Sequence, residues 1–334
     1  MHPSLRLLWI SISVATACTT ASDRASPAVR DIVPTAWMVE WQRGGSETDT
    51  IFQLPVRLAT DGTLVYVLDR YASRIVALRA DDGSVDWRTG RKGGGPGEFD
   101  APEAVASLPG GGVAVADPNN RRITFLDADG TLDAAVEIPS GALVGSMCAL
   151  DDGSLLLSVV VGEAPLVRIA RDGRVIDRPA LPWADLSGPA SLRTQMVLGN
   201  AANGGCLAAL GLGRGFAIYD GRRFGVAHDY VEHFELPRVE VRDQPLRKSQ
   251  RLGESTMAAI SVAARGDTVA IAFMGRSRHA GRTLDLYDGR AGGYLRTYLG
   301  PGIESLAVAR DRVFVLTRLN GYPAVLAQTI RPGE

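Results

Sequence analysis

Residues 91–99 read RKGGGPGEF. Glycines beside a basic residue are the composition of a loop that cradles phosphate with backbone N–H groups. The spacing argues otherwise. A phosphate-binding loop needs G-x-x-x-x-G-K-[ST] opening a helix, so that the helix N-terminus faces the anion. Here Lys92 precedes the glycines and a strand pattern follows. The same residues suit a blade-to-blade turn. Pro96 is pre-set for its second position, and Gly97 suits the third, where type II geometry requires a positive φ. Glu98 is then placed to hold a backbone N–H or a neighbouring Arg, and Phe99 to anchor between units.

Other reactive residues are sparse. Past the first residues the histidines are His228, His233 and His279, and a zinc site needs several together. His228 and His233 lie five apart in FGVAHDYVEHFEL, on opposite sides of a strand. His279 sits in MGRSRHAGR, which reads as a loop. No Ser/His/Asp pattern stands out. Asp117 and Arg121 in DPNNRR are nearly repeated by Asp69 and Arg74 in DRYASR. A motif repeated in this way reads as a fold device, the aspartate bonding nearby backbone N–H groups. Cys148 and Cys206 both fall in apolar, strand-like runs and read as buried free thiols, with one possible pairing left open.

The elements that position these groups are strands. TLVYVLD, RIVALRA, GVAVAD, RITFLDA, SLLLSVVV, GFAIYD, TVAIAFM, TLDLYD and RVFVLTR are apolar, β-branched runs between turn residues. Asp-Gly pairs recur at Gly83, Gly130, Gly173, Gly221 and Gly289, in steps of 47, 43, 48 and 68 residues. A period of about 40–50 residues with four strands per unit is the sign of a β-propeller. The long step holds a surplus at residues 237–256, PRVEVRDQPLRKSQRLGEST, expected as an insertion between blades. The last unit has three strands, IESLAVA, RVFVLTR and AVLAQTI. WMVEWQRGG near the N-terminus matches SVDWRTGRKG, with Val39, Glu40 and Trp41 lying 46 residues before Val85, Asp86 and Trp87. The expectation is an all-β, six-bladed β-propeller over residues 35–331, closed by the N-terminal strand pairing with the C-terminal three-stranded blade. Closure removes open sheet edges.

The run GGGPGEFDAPEAVASLPGGGVAVADPNNRRITFLDADGTL resembles the NHL-repeat class, and more closely the six-bladed propeller lipoproteins of bacteria. The resemblance is carried by residues 65–132, continues to about 180, and fades where the Asp and Arg-Ile positions are lost, as in SLLLSVVVGEAPLVRIA. The N-terminus agrees with it. LLWISISVATA, residues 7–17, is too short to span a bilayer and suits a signal peptide. Ala15-Thr16-Ala17-Cys18 resembles the lipobox, with Ala15 where that family more often has Leu. The resemblance implies cleavage after residue 17, lipidation of Cys18, and a flexible tether over 18–34. It implies an outer-membrane lipoprotein facing the periplasm or the cell surface. A soluble secreted or periplasmic protein is the alternative.

Propellers bind ligands at one end of the central channel, on the loops joining second to third strands and blade to blade. Those loops carry Arg74, Arg121, Arg214, Arg276, Arg278, His279, Arg282 and Arg318. Arginine suits bidentate recognition of carboxylate or phosphate. The net charge is only −1 and the loops offer no aromatic stacking platform, which argues against a nucleic-acid partner. The expected partner is an envelope protein or an anionic saccharide or lipid head group, bound without a cofactor, with the membrane reached through the lipid anchor.

The alternative is enzymatic. Six-bladed propellers include calcium-dependent lactonases and zinc-dependent lyases. At the starts of the inner strands, Glu103 and Glu304 offer two carboxylates for a calcium ion, with Gln195 and Ser146 as neutral oxygens and Arg57 as a nearby cation. The Asn and Asp ligands of the calcium type are missing. A binding or scaffold module is therefore favoured over a metal-dependent, lactonase- or esterase-like hydrolase. A purely structural part of a larger envelope complex is the third reading.

Overall fold

The computed structural model describes residues 29–139, 142–161, 164–183, 195–201, 203–232, 234, 239–244, 247–252 and 255–332. The expected signal peptide and lipidation site, Cys18, and His233 lie outside the described residues.

The chain enters through β1 (Ile32–Val33) and β2 (Thr35–Gly44) and then forms blades of four antiparallel strands. Blade 1 is β3 (Pro55–Thr60), β4 (Leu64–Asp69), β5 (Arg74–Arg79) and β6 (Val85–Thr89). Blade 2 is β7 (Ala104–Ser107), β8 (Val113–Asp117), β9 (Arg122–Leu126) and β10 (Leu132–Glu137). Blade 3 is β11 (Leu143–Ala149), β12 (Leu155–Val161), β13 (Leu166–Ile169) and β14 (Val175–Asp177). Blade 4 is β15 (Met196–Asn200), β16 (Cys206–Leu210), β17 (Gly215–Tyr219) and β18 (His228–Asp229). Between blades 4 and 5 lies a hairpin of β19 (Val239–Gln244) and β20 (Arg247–Leu252). Blade 5 is β21 (Ala259–Arg265), β22 (Thr268–Phe273), β23 (Thr283–Asp288) and β24 (Tyr294–Leu299). Blade 6 is β25 (Ser305–Ala309), β26 (Arg312–Leu319) and β27 (Tyr322–Pro332), and β2 is its fourth strand, from Thr35↔Pro332 to Gly44↔Ala324. The six-bladed ring and its closure are as the repeat predicts.

Each blade is apolar on both faces, because each packs on two neighbours. The core accordingly consists of six clusters of buried side chains, one at each interface between blades. This is why β4 (LVYVLD) and β8 (VAVAD) are buried along their whole length and read as continuous apolar runs rather than alternating ones.

Hydrogen bonds join the blades near the channel. The Ser146 Oγ accepts the Leu198 N–H at 2.9 Å, the Ser261 Oγ accepts the Leu306 N–H at 2.9 Å, and the Ser305 Oγ accepts the Leu58 N–H at 3.0 Å. Outer strands reach the next blade through indoles. Trp41 donates Nε1–H to the Ala80 carbonyl at 2.9 Å, and Trp87 donates to the Ala128 carbonyl at 2.8 Å. The matched WMVEW and SVDW segments thus perform one task in two places.

Two expectations are corrected. Cys148 in β11 and Cys206 in β16 are joined as a disulfide between blades 3 and 4, with Cα atoms 6.0 Å apart, and are not free thiols. The ring geometry brings together two residues 58 apart in sequence. Residues 30–33, expected within the tether, belong to blade 5. There β1 pairs in parallel with β24, and the Arg30 guanidinium binds Asp285 at 2.9 Å and also Glu232. In blade 5 the left-handed residue of the outer turn is Gly292, at φ 70°, not Gly289.

Candidate functional site

The glycine-rich loop forms the expected turn. The Glu98 N–H bonds the Gly95 carbonyl at 3.1 Å, and Gly97 has φ 70°. The Glu98 carboxylate accepts the Gly95 N–H at 2.8 Å and the Arg91 guanidinium at 2.7 Å, which holds its pKa below the ordinary glutamate value. Phe99 is fully buried between blades 1 and 2. The loop is committed to its own geometry.

The repeated Asp and Arg clamp loops of this kind. Asp69 and Asp117 are fully buried. Asp69 accepts the N–H groups of Gln53 and Leu54, each at 2.9 Å, and Asp117 that of Asp100 at 2.8 Å. Arg74 donates to the Ile51 carbonyl at 2.7 Å, which ties it to the fold rather than to a ligand. In blade 2 the corresponding clamp is Arg122, on the carbonyls of Gly95 and Glu98 at 2.6 and 2.7 Å. Arg121 instead occupies the left-handed position, φ 54°, that Ser73 occupies in blade 1 at φ 51°. Its side chain is exposed.

On the face that carries these loops, the channel opens into a funnel of about 470 Å³. Arg57, Glu103, Ser146, Gln195 and Glu304 supply its polar wall, and Met257, Ile260, Met274 and Ile303 much of its apolar wall. Below it the channel narrows to about 130 Å³ among the inner strands. Glu103 and Glu304 occupy equivalent places, their N–H groups donating to the Ala116 and Leu316 carbonyls on the next strands. Each carboxylate already has a cation. Arg70 reaches Glu103 at 2.6 Å, and Arg318 reaches Glu304 at 2.7 Å. Among the described residues no three His, Cys, Asp or Glu side chains converge on a metal position. The Ser146 Oγ serves the blade 3–blade 4 junction. The donor set therefore does not fit the calcium alternative.

Arg57 is in a different situation. Its Nη1 donates only to the carbonyl of neighbouring Val56, at 3.0 Å, and its Nε is buried with no partner. Burial lowers its pKa from the ordinary guanidinium value, Glu103 opposes that shift, and the like charge of Arg70 adds to it.

The rim continues the basic character. The loop after β22 presents Arg276, Arg278 and Arg282, all exposed. Arg276 donates to the Thr256 Oγ1 at 2.5 Å and lies 5.6 Å from the Phe234 ring. Arg278 donates to the His279 Nε2 at 3.0 Å, and Arg282 to the Gly300 carbonyl at 3.1 Å. Among the described residues, no carboxylate pairs with the side chain of Arg57, Arg121, Arg276, Arg278 or Arg282. At the opposite end of the ring Arg171, Arg290 and Arg312 each hold an aspartate or glutamate, whereas the exposed Arg222, Arg223 and Arg265 have no ion pair among the described residues. Arg214 pairs with Asp229 at 3.5 Å.

No family model and no curated protein matches the chain. Solved structures do. A protein of Bacteroides fragilis provisionally described as exported aligns with TM-score 0.59 at 10% identity, over 90% of this chain and 96% of its own. Virginiamycin B lyase of Staphylococcus aureus aligns with TM-score 0.52 at 10% identity, over 88% and 99%. The U3-55K protein aligns with TM-score 0.52 at 12% identity, over 86% and 98%. At such identities the likeness is one of fold.

Proposed function

We propose that this protein is an exported binding propeller of the cell envelope that receives an anionic ligand or an acidic protein surface on the face carrying the funnel. One observation carries the reading: among the described residues Arg57 in the mouth and Arg276, Arg278 and Arg282 on its rim have no carboxylate partner. Unpaired guanidinium is the group that forms forked, charge-assisted hydrogen bonds with carboxylate or phosphate. The structurally similar Bacteroides protein supports an exported setting, and the N-terminal run with Cys18 supports a lipid anchor.

Nothing in the funnel favours the hydrolase. Glu103 and Glu304 would each have to release an arginine before either could hold a cation. His279 bonds Arg278, and no second histidine joins it among the described residues. Propellers host many activities, so the site, not the fold, decides.

The test is binding of the purified chain to an acidic saccharide, polygalacturonate, at low and high salt. The expected result is salt-sensitive binding that falls strongly when Arg276, Arg278 and Arg282 are changed together to Ala. Binding that this triple variant leaves intact would remove the reading.

A further inference from the structure

The funnel has more character than a basic surface. The charged residues that line it are Arg57, Glu103 and Glu304, and the two glutamates are each balanced by an arginine from outside the lining, Arg70 and Arg318, which leaves a net charge of +1. Two arginines are spent on two glutamates. What remains is a single guanidinium, Arg57, with a buried Nε that bonds nothing. Apart from the Nη1 bond to Val56 its outer nitrogens have no protein acceptor, so a ligand carboxylate in the funnel meets a guanidinium free to form charge-assisted hydrogen bonds. The charge also sets a limit. A second negative charge would meet Glu103 and Glu304 with no free cation to offset it.

The remaining wall is apolar. Met257, Ile260, Met274 and Ile303 line it, and Met257 is 46% exposed at its edge. Thioethers of this kind adapt to irregular apolar shapes. The volume, about 470 Å³, lies within the range of small-molecule pockets. The narrowing beneath it, about 130 Å³, is far smaller than the funnel.

We propose that the funnel is a subsite for one carboxylate carried on a compact apolar body, the carboxylate taken by Arg57 and the body by Met257, Ile260, Met274 and Ile303. The proposal deepens the anion-binding reading and rests on it. It assigns the rim arginines to a larger acidic partner and Arg57 to a small one.

The experiment titrates the full purified chain with 4-phenylbutyrate, with its neutral amide and with acetate, followed by ligand-observed nuclear magnetic resonance and by thermal unfolding. Phenylbutyrate is expected to bind. The amide and acetate are each expected to bind about tenfold more weakly or not at all, since one loses the charge-assisted bond and the other the apolar body. Arg57→Met is expected to remove most of the phenylbutyrate response, and Met257→Trp to obstruct the body while leaving Arg57 in place. The rim triple variant is expected to keep phenylbutyrate affinity. If Arg57→Met does not fold, Met257→Trp and the amide still decide. Equal binding of acid and amide, or no response to phenylbutyrate, overturns the subsite. If polygalacturonate still binds and is still lost in the rim variant, that outcome leaves the wider reading standing. Loss of both responses removes both.

Discussion

The indole of Trp87 lies directly over Gly130 of the neighbouring blade. A Cβ added to Gly130 would stand 2.6 Å from two atoms of the ring and 2.9 Å from the Thr89 Oγ1. Gly130 also holds φ 82°, where an L side chain is strained. Trp41 and Gly83 repeat the relationship one blade earlier. At Gly83 and Gly130 the Asp-Gly pair therefore answers two demands, a left-handed turn and a flat seat for the ring of the blade before it.

Gly130→Ala is expected to cost about 2–3 kcal/mol, the sum of backbone strain and a displaced indole. Gly97→Ala provides the comparison. Gly97 has φ 70°, but a methyl group there would meet nothing within 4 Å, so only strain remains, about 1 kcal/mol. Urea unfolding measures both. Equal losses would mean that the indole contributes nothing.

Ser261→Ala leaves the buried Leu306 N–H without its acceptor at the blade 5–blade 6 junction. The expected cost is about 1–3 kcal/mol. Ser146→Ala should behave alike at the blade 3–blade 4 junction, and the two should add, because they serve separate interfaces. A double-variant denaturation series checks this.

Reduction of the Cys148–Cys206 disulfide opens a loop closed across 58 residues. Chain entropy puts the loss at about 4 kcal/mol. Thiol titration of the denatured, unreduced protein should find neither cysteine free, and reducing agent should lower the melting temperature. An unchanged melting temperature on reduction would show that blades 3 and 4 hold without the bridge.

Arg30→Ala leaves the fully buried Asp285 without its guanidinium partner. Burial alone would lower the Arg30 pKa, but the two carboxylates hold it above the ordinary value. Breaking such a pair is expected to cost about 3–5 kcal/mol. Removing residues up to 33 should cost a similar amount, since it takes β1 and Arg30 together. Thermal unfolding of both variants beside the full chain is the measurement.

Acid should act at the turn end of the ring. Asp82, Asp129, Asp220 and Asp288 have lowered pKa values because hydrogen bonds from residues two or three further on favour the carboxylate. A depressed pKa gives stability that is present above the unfolded value, 3.8, and is lost as pH falls through the folded one. The melting temperature should be level at neutral pH and decline below about pH 4, the unfolded carboxylate range. Asp129→Asn with Asp288→Asn should flatten part of that decline.

Much of this fold is legible because the blade is a local unit. Strand runs, Asp-Gly turns and the Trp41–Trp87 match all lie within one period, so periodicity gives blade number and closure. What crosses between blades is harder to read. Cys148 and Cys206 sit in different strand positions of adjacent blades, and only the ring brings them together. Arg121 reads as the clamp because it is the first arginine of the pair. The left-handed turn places that residue outside and gives the task to Arg122. Arg30 has the composition of a tether around it, and its partners Glu232 and Asp285 lie more than two hundred residues away. Arg57 is recognisable as a cation at the mouth from strand register. That its Nε has no partner depends on which arginines Glu103 and Glu304 take.

The pairing of β2 with β27 joins one of the first strands of the chain to the last. Such a contact has nearly the largest sequence separation the chain allows, and its loop-closure entropy must be met before any of its hydrogen bonds form. Blades 1 to 5 can condense in order as the chain emerges, but blade 6 remains three-stranded until the earliest segment returns to it. Closing the ring is therefore expected to come late in folding, and a chain cut short by its last strand leaves exposed the edge of β26 that β27 would have covered and leaves β2 without a partner.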